Sequence, residues 1–376
     1  MPILSSYDCK LISSTIYFAS HIKLNMSTPR ASKQWLLREK PFGEPILEGD
    51  KPTFVQSQVD IPPLKDGQVL LRTQYLSNDP AQRTWISPFA SPERLYLAPV
   101  DVGAVMKSMG IAEVVESRSS DIPVGSLVSG NPGWTEYSID DAKNVAIIEP
   151  QHDLPITHFL GALGLPGHTA YYALTQIVKA KKGEAIVISG AAGAVGTMAV
   201  QIAKKMIGCR KVIGIAGSDE KCRWVEKLGA DICLNYKSDA FKQQLTKETE
   251  GFVEIYFDNV GGEILDFMLT RLAKFGRVAA CGSISNYNRD GNAVGLKNYF
   301  EVIAMRLQIT GFINLDWVEH LPEVRAILLE EWKKGTIVIA DESEMVVDSS
   351  FEEIPRTWMM LYLGGNTGKL VTKLKY

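Results

Sequence analysis

The spacing of apolar residues changes along this chain and divides it into two kinds of predicted structure. Between residues 53 and 150, short runs that mix apolar and polar residues stand between turn residues. Such runs are typical of β-strands. They include GQVLLRTQYLS (67–77), GIAEVVES (110–117) and PVGSLVSG (123–130). Since no long helix is indicated here, this region predicts a compact, barrel-like domain.

From about residue 160, strand-like and helix-like segments alternate. The helical pattern of GHTAYYALTQIVKAKKG (167–183) comes first. Six apolar strand candidates follow: AIVIS (185–189), KVIGIAG (211–217), ADICLNY (230–236), FVEIYFDNVGG (252–262), RVAACGSIS (277–285) and LQITGFI (307–313). Three helix-like segments lie between them: SDEKCRWVEKLG (218–229), AFKQQLTKETEG (240–251) and EILDFMLTRLAKFG (263–276). This alternation predicts a doubly wound, mostly parallel sheet that is covered on both faces.

The two ends of the chain differ from these regions. The tail predicts a helix in LPEVRAILLEEWKKG (321–335) and a closing strand in GGNTGKLVTKLKY (364–376), and we expect it to return to the first domain. Residues 1–25 are rich in serine but contain Asp8, and they lack the arginine-rich character of a transit peptide. We therefore expect a disordered extension or an over-long gene model, with Met26 as the natural start. A transit peptide is the alternative.

A glycine-rich turn follows the strand AIVIS. Gly190, Gly193 and Gly196 have the spacing G-x-x-G-x-x-G, which differs from the usual G-x-G-x-x-G. One apolar helical face follows at once, made of Val195, Met198, Ala199, Ile202, Ala203 and Met206. A turn between a buried strand and a helix lets the backbone approach a pyrophosphate, which the helix N-terminus attracts. This predicts dinucleotide binding; the alternative is a tight turn that binds no ligand.

The second strand of this series indicates which dinucleotide is bound. NAD sites carry a carboxylate at the tip of this strand to bind the ribose 2′-hydroxyl, whereas KVIGIAG ends at Gly217. Ser218 and Lys221 follow, and a lysine attracts an added 2′-phosphate. Asp219 and Glu220 are possible ribose ligands, but acidic residues are also favoured in the first turn of a helix. The pattern therefore favours NADP.

Composition and charge narrow the choice of function further. The net charge of −3 gives no surplus that would attract nucleic acid or anionic lipid, and no apolar run is long enough to span a bilayer. The five cysteines are scattered, odd in number and without a C-x-x-C pair. This favours reduced thiols in an intracellular protein and argues against a structural zinc lobe. We expect a cytoplasmic protein without a nucleic-acid or membrane partner.

Several short motifs occur in an order that resembles one superfamily. They are MGIAEVVES, GLPGHTAYYAL, GAAGAVG, GSDEK, LGAD, NYKS, YFDNVGGEILD, FGRVAACGSISNYN, ITGFI and GGNTGKLV. Together, from Gln34 to Tyr376, they resemble the medium-chain dehydrogenases/reductases, and most of all the zinc-independent alkenal and prostaglandin double-bond reductases. The resemblance implies an α/β protein with a GroES-like β-rich barrel domain (26–160 plus 316–376). It also implies a Rossmann domain with a doubly wound, parallel six-stranded sheet (161–315), and commonly a homodimer.

The same resemblance implies positions for an NADP cofactor. The pyrophosphate would lie against Gly193, Ala194, Val195 and Gly196. The adenosine phosphate would contact Lys221 and Tyr236, and Asn259 would lie near the dinucleotide. The nicotinamide half would be lined by Cys281, Gly282, Ser283, Ile284, Ser285, Asn286, Tyr287, Phe312, Ile313 and Asn314, with Asn366 reaching in from the tail. The alternatives are packing for Tyr236 and a turn amide for Asn259.

The resemblance also implies a chemistry. Residues 26–150 contain no cysteine, so the zinc ligands of alcohol dehydrogenases have no counterpart, and no metal is expected. NADPH would deliver a hydride to the β-carbon of an α,β-unsaturated carbonyl compound. Tyr287 would donate a hydrogen bond to the enolate oxygen, and the α-carbon would take a proton from water or an acidic side chain. A purely steric role is the alternative for Tyr287.

Substrate identity is the least transferable part of the resemblance. Relatives often carry an aromatic residue and a methionine in the loop SNDPAQRTWI, where this chain has Ala81 and Gln82, so a wall of the substrate pocket is changed. A quinone reductase and an enoyl reductase serving one pathway, with a bulky substrate, are rival interpretations. A non-catalytic NADPH-binding protein is a rival of another class; it would bind the cofactor without oxidising it.

Overall fold

The computed structural model describes residues 31–151, 153–289, 292 and 295–376. The predicted extension (1–25) and the predicted start at Met26 lie outside the described residues. None of the four cysteines in the described part forms a disulfide. Within the same part, no helix is both long and apolar enough to cross a bilayer, and no group of three or more His, Cys, Asp or Glu residues could hold a metal ion.

The described residues form fifteen strands. In the first half they are β1 (Ala31–Leu37), β2 (Phe54–Asp60), β3 (Gln68–Ser77), β4 (Gly110–Ser117), β5 (Leu127–Gly130), β6 (Tyr137–Asp141) and β7 (Ala146–Ile147). Six follow in alternation with helices: β8 (Ala185–Ser189), β9 (Lys211–Ala216), β10 (Ile232–Asn235), β11 (Val253–Asp258), β12 (Leu272–Ala280) and β13 (Gln308–Gly311). The tail adds β14 (Glu344–Ser349) and β15 (Lys369–Leu374).

Nine α-helices are described along the same residues. They are α1 (Gln82–Trp85), α2 (Leu165–Tyr172), α3 (Ala194–Gln201), α4 (Asp219–Leu228), α5 (Phe241–Glu248), α6 (Gly262–Leu269), α7 (Tyr299–Ala304), α8 (Leu321–Lys333) and α9 (Ile354–Leu363). Wider helical turns extend α2 through Ala173–Ile177 and α3 through Ile202–Ile207. The predicted apolar face from Val195 to Met206 is therefore helical over its whole length.

Six strands form the sheet of the second domain, in the order β10-β9-β8-β11-β12-β13, and every neighbouring pair is parallel. Each residue of β8 is buried, because helices cover both faces of the sheet. The predicted doubly wound parallel sheet is confirmed. Since the carboxyl ends of parallel strands lie at one edge, the turns after β8, β9, β11 and β12 gather there.

The predicted helix over 263–276 is wrong in its second half. Helix α6 ends at Leu269, and β12 begins at Leu272, which pairs with Val253 of β11. Leu272 is 1 % exposed because it packs into the core beneath the sheet. Its spacing from Leu269 fits a helix, but Leu272 pairs with β11 in the sheet instead.

A seven-stranded sheet forms the first domain, and the tail belongs to it. The order is β14-β15-β3-β4-β5-β7, with β6 also pairing with β3, while β1 and β2 form a separate antiparallel pair. Strand β15 pairs antiparallel with β3, so the tail returns to the first domain. The limits of the two domains at residues 160 and 316 stay a prediction.

Candidate active site

A cleft of about 1380 Å³ lies between the two sheets. The first domain contributes the loop from Ser77 to Ala81 together with Trp85 and Tyr96. The second domain contributes the turns after β8, β9, β11 and β12. The tail contributes Asn366 and Lys369. A ligand in this cleft therefore contacts both domains at once.

The glycine turn brings the backbone to the cleft wall. Gly190 has φ +59°, a conformation that favours glycine. A Cβ on Gly196 would lie 2.2 Å from the Gly190 carbonyl oxygen, so the first turn of α3 packs directly against the backbone of the glycine turn. Helix α3 begins at Ala194, where its first N–H groups have no partner within the helix. The turn is thus a concave N–H surface of the kind that binds phosphate.

The tail is hydrogen-bonded directly to this turn. The Gly368 N–H donates to the Ala192 carbonyl at 2.7 Å, and Gly368 forms a parallel bridge with Gly193. Gly368 has φ +65°, and a Cβ there would lie 2.0 Å from the Ser343 carbonyl oxygen. The Asn366 amide donates to the Gly368 carbonyl at 2.9 Å. Asn366 therefore shapes the tail loop at the cleft.

Two lysines lie at the far end of the cleft. Lys221 is on the first turn of α4, and its Nζ donates to the Gly364 carbonyl at 2.9 Å. Burial and the nearby Lys237 ammonium lower the pKa of Lys221. Tyr236 and Lys237 follow β10 and line the same end. A bound dianion would relieve the repulsion between the two ammonium groups.

The residues next to this pair have local structural roles. The Ser218 hydroxyl caps α4 by accepting the Lys221 N–H at 3.2 Å. Asp219 and Glu220 lie in the first helical turn, as expected, and Asp219 accepts a hydrogen bond from the Asn235 amide at 2.8 Å. In the part of the chain that the structure describes, neither Asp219 nor Glu220 lines the cleft.

A buried carboxylate holds the turn after β11. Asp258 is 2 % exposed, and its Oδ1 accepts the N–H groups of Val260 and Gly261 at 3.0 and 2.9 Å. Burial raises its pKa. The neighbouring Asn259 amide donates to the Ser189 carbonyl at 2.7 Å, so it ties the turn to the end of β8. Asn259 lines the cleft from this fixed position.

The segment after β12 presents a phenol to the cleft. The Tyr287 hydroxyl accepts the Ser283 N–H at 3.2 Å. Because a backbone N–H can only donate, this bond leaves the phenolic hydrogen to donate elsewhere. Burial raises the pKa of Tyr287 to about 12. The phenol therefore keeps its proton at neutral pH.

Comparisons with known proteins agree with this architecture. Residues 33–148 match the family model described as the N-terminal domain of oxidoreductase, and residues 194–330 match the model described as zinc-binding dehydrogenase. Prostaglandin reductase 1 of Bos taurus is 37 % identical over 91 % of this chain and 99 % of its own length. The chain belongs to the medium-chain dehydrogenase/reductase superfamily.

Two further relatives also match this chain over nearly its whole length. The NADPH-dependent curcumin reductase of Escherichia coli K12 is 35 % identical over 91 % of this chain and 97 % of its own. The crystal structure of CurA from Vibrio vulnificus in complex with NADPH superposes with a TM-score of 0.82. It is 34 % identical and covers 92 % of this chain and 99 % of that one.

Most of the residues predicted for the cofactor site line the cleft. These are Gly193, Ala194, Val195, Gly196, Lys221, Tyr236, Asn259, Cys281, Gly282, Ile284, Ser285, Tyr287, Phe312, Ile313, Asn314 and Asn366. Ser283 lines a shallow depression beside it, and Ser218 and Asn286 line neither. The amide of Asn286 donates to the Ser283 hydroxyl at 2.8 Å, and that of Asn314 donates to the Thr169 hydroxyl at 2.8 Å. The cofactor roles of these residues stay predictions.

Three features of the cleft are not predicted by the sequence of this superfamily member. Lys237 stands next to the predicted Tyr236 and adds a second cation. Lys369 is 2 % exposed, and its ammonium donates to Asp79, another residue of the cleft lining, at 2.6 Å. Asn288, next to Tyr287, accepts a hydrogen bond from a residue of the first domain. The motif NYKS already contained Lys237, whereas no local pattern marks the other two features.

The close approach at Gly196 predicts a sharp difference between two glycines of the turn. In Gly196→Ala the new Cβ meets backbone atoms at 2.2 and 2.6 Å, so we expect a loss of about 1–3 kcal/mol in the free energy of unfolding. In the control Gly193→Ala the nearest atom is 3.3 Å away, and a smaller loss is expected. Urea unfolding measures both values. Equal stability of the two variants would contradict the role given to Gly196.

Proposed function

We propose that this protein uses NADPH to reduce the carbon–carbon double bond of α,β-unsaturated carbonyl compounds. The observation that carries the proposal is a single cleft that holds a glycine turn, a cationic end and a protonated phenol. The curated names of the relatives agree, since they are a prostaglandin reductase and an NADPH-dependent curcumin reductase. The substrate is a small molecule that enters between the domains.

The residues of the cleft fit this cofactor. The N–H groups at the start of α3 suit a pyrophosphate, and the absence of a Cβ at Gly193 leaves room for it. Lys221 and Lys237 suit the 2′-phosphate that distinguishes NADPH from NADH. When bound, NADPH supplies the hydride that is transferred to the β-carbon of the substrate.

Tyr287 stabilises the charge that develops on the substrate. Negative charge accumulates on the carbonyl oxygen as the β-carbon accepts the hydride, and a fixed donor lowers the energy of that state. The Ser283 N–H holds the phenolic oxygen in place before the substrate arrives and leaves the hydroxyl hydrogen available to donate. Because its pKa is about 12, the phenol remains a donor across the neutral and moderately alkaline range.

The first domain supplies the opposite wall. Ala81 lines the cleft beside the rings of Trp85, Tyr96 and Tyr362. The neighbouring Gln82 is fully buried, and its amide donates to the Lys107 carbonyl at 2.9 Å. Gln82 therefore fixes the loop, while Ala81 presents only a methyl group to the cleft; we call the space that a larger side chain would fill at this position the recess. This recess suits a substrate with a bulky substituent.

The homodimer and the cytoplasmic location expected from the sequence stay predictions. Size-exclusion chromatography with light scattering measures the first, and cell fractionation measures the second.

The cationic end of the cleft predicts coenzyme preference. Lys221→Ala removes one ammonium from the 2′-phosphate, so we expect NADPH to bind about 10- to 100-fold more weakly while NADH affinity stays unchanged. Lys227→Ala, on the exposed last turn of the same helix, is the control and should change neither affinity. Isothermal titration calorimetry gives all four constants. An equal loss for both coenzymes in Lys221→Ala would contradict the assignment.

If the Tyr287 hydroxyl acts as a donor, its removal should lower kcat without weakening NADPH binding. Tyr287→Phe keeps the ring and removes the donor, so we expect kcat for an enone to fall by about 10²-fold with little change in NADPH affinity. A steric role would leave kcat unaltered, since the ring remains. Stopped-flow turnover and fluorescence titration of NADPH measure the two quantities. Thermal unfolding checks that the unpaired Ser283 N–H does not unfold the variant.

The recess at Ala81 predicts substrate selection by size. Ala81→Phe fills the recess, so KM for benzylideneacetone should rise about tenfold more than KM for methyl vinyl ketone. Ala81→Ser is the control and should leave the ratio of the two KM values unchanged. Steady-state NADPH oxidation measures both substrates. An unchanged ratio in Ala81→Phe would remove Ala81 from the substrate wall.

A further inference from the structure

A buried arginine of the first domain reaches the segment that carries Tyr287. Arg83 lies in α1, one residue beyond the buried Gln82, and it is itself 2 % exposed. Its Nε donates to Asn288 Oδ1 at 2.9 Å. The two residues are 205 positions apart, and the bond joins the first domain to the second beside the cleft. We call this contact the Arg83–Asn288 latch.

The arginine end of the latch is fixed by other contacts. One terminal nitrogen of Arg83, Nη2, donates to the carbonyls of Pro41 and Gly43 at 3.1 and 2.5 Å. A guanidinium has its donors in one rigid plane, so these bonds determine the direction of Nε as well. The latch therefore extends from a rigid anchor in the first domain.

The asparagine end lies directly beside the phenol. Asn288 follows Tyr287 in the chain and lines the same cleft. Tyr287 has its own bond to the Ser283 N–H, which is a contact within the second domain. That bond orients the hydroxyl relative to the second domain. The latch adds a restraint relative to the first domain, which supplies the opposite wall.

We infer that Arg83 and Asn288 are positioning residues that hold Tyr287 at the distance from the first domain at which its hydroxyl meets the substrate carbonyl. The inference rests on the proposed function of Tyr287. Removing a guanidinium from water is costly, and each hydrogen bond that Arg83 donates, including the one to Asn288, offsets part of that cost. A misplacement of about 1 Å is enough to lower a rate by as much as 10²-fold.

Substitutions of Asn288 test the latch better than substitutions of Arg83, because they leave the anchor at Pro41 and Gly43 intact. Asn288→Leu removes the acceptor, and we expect kcat to fall about tenfold while the dissociation constant of NADPH is unchanged. Asn288→Asp keeps an acceptor oxygen and adds a charge that suits the arginine, so it should retain kcat within about threefold. Wild-type kcat in Asn288→Leu would overturn the inference.

A double-mutant cycle shows whether the latch acts through the phenol. If it does, Asn288→Leu should lower kcat by less than about twofold in a Tyr287→Phe background, because the group being positioned is already absent. Multiplication of the two single effects would overturn the inference, since Asn288 would then act on the substrate independently of Tyr287.

A readout without turnover separates this inference from the proposed function. Hydrogen–deuterium exchange at the amides of residues 282–289 should be faster in Asn288→Leu than in the wild type and unchanged in Asn288→Asp. Unchanged exchange in Asn288→Leu would overturn the latch whatever the enzyme reduces. A wild-type protein that reduces no enone would instead refute the proposed function and leave the exchange result valid.

Discussion

The cleft depends on one backbone contact, the bond between the tail and the glycine turn. Gly368 donates to Ala192 and bridges Gly193, while the next residues continue as β15 in the sheet of the first domain. The contact fixes the glycine turn of the second domain against the sheet of the first domain. Only a residue without a Cβ fits at position 368, because the Ser343 carbonyl occupies that space. The cleft wall therefore depends on the close approach of the tail backbone to the backbone of the glycine turn and of Ser343.

The charges along the cleft are complementary to those of the proposed ligands. Lys221 and Lys237 gather positive charge at one end, where burial and mutual repulsion lower the pKa of Lys221. The buried Lys369 forms an ion pair with Asp79, so its positive charge has a partner of opposite charge within the cleft lining. At the other end, burial keeps Tyr287 neutral and protonated. In the proposed function, the first end suits an anionic phosphate and the second suits a developing enolate.

The sequence predicted the features that depend on local patterns. Strand β4 has the bounds of GIAEVVES, and the glycine turn lies between β8 and α3 as its context required. The error at 263–276 arose because Leu269 and Leu272 have helical spacing, and strand pairing with β11 outweighed it. Periodicity describes neighbours along the chain and cannot show which strand a segment will meet.

The contacts between the domains could not be predicted in this way. Lys369 and Asp79 are 290 residues apart, and Arg83 and Asn288 are 205 apart. Each is an ordinary polar residue in its own segment, and its role appears only when the tail and the two sheets are assembled. The residues that follow the second strand of the series already indicated Lys221, and the superfamily resemblance supplied Tyr287, because both positions lie in recognisable motifs.

The destination of the hydride tests the central claim most directly. The protein would be supplied with benzylideneacetone and NADPH carrying deuterium at the transferable position of the nicotinamide, and the product examined by proton and deuterium NMR. The account predicts a saturated ketone with one deuterium on the β-carbon. Deuterium on the carbonyl carbon of an allylic alcohol, or no deuterated product, would contradict it.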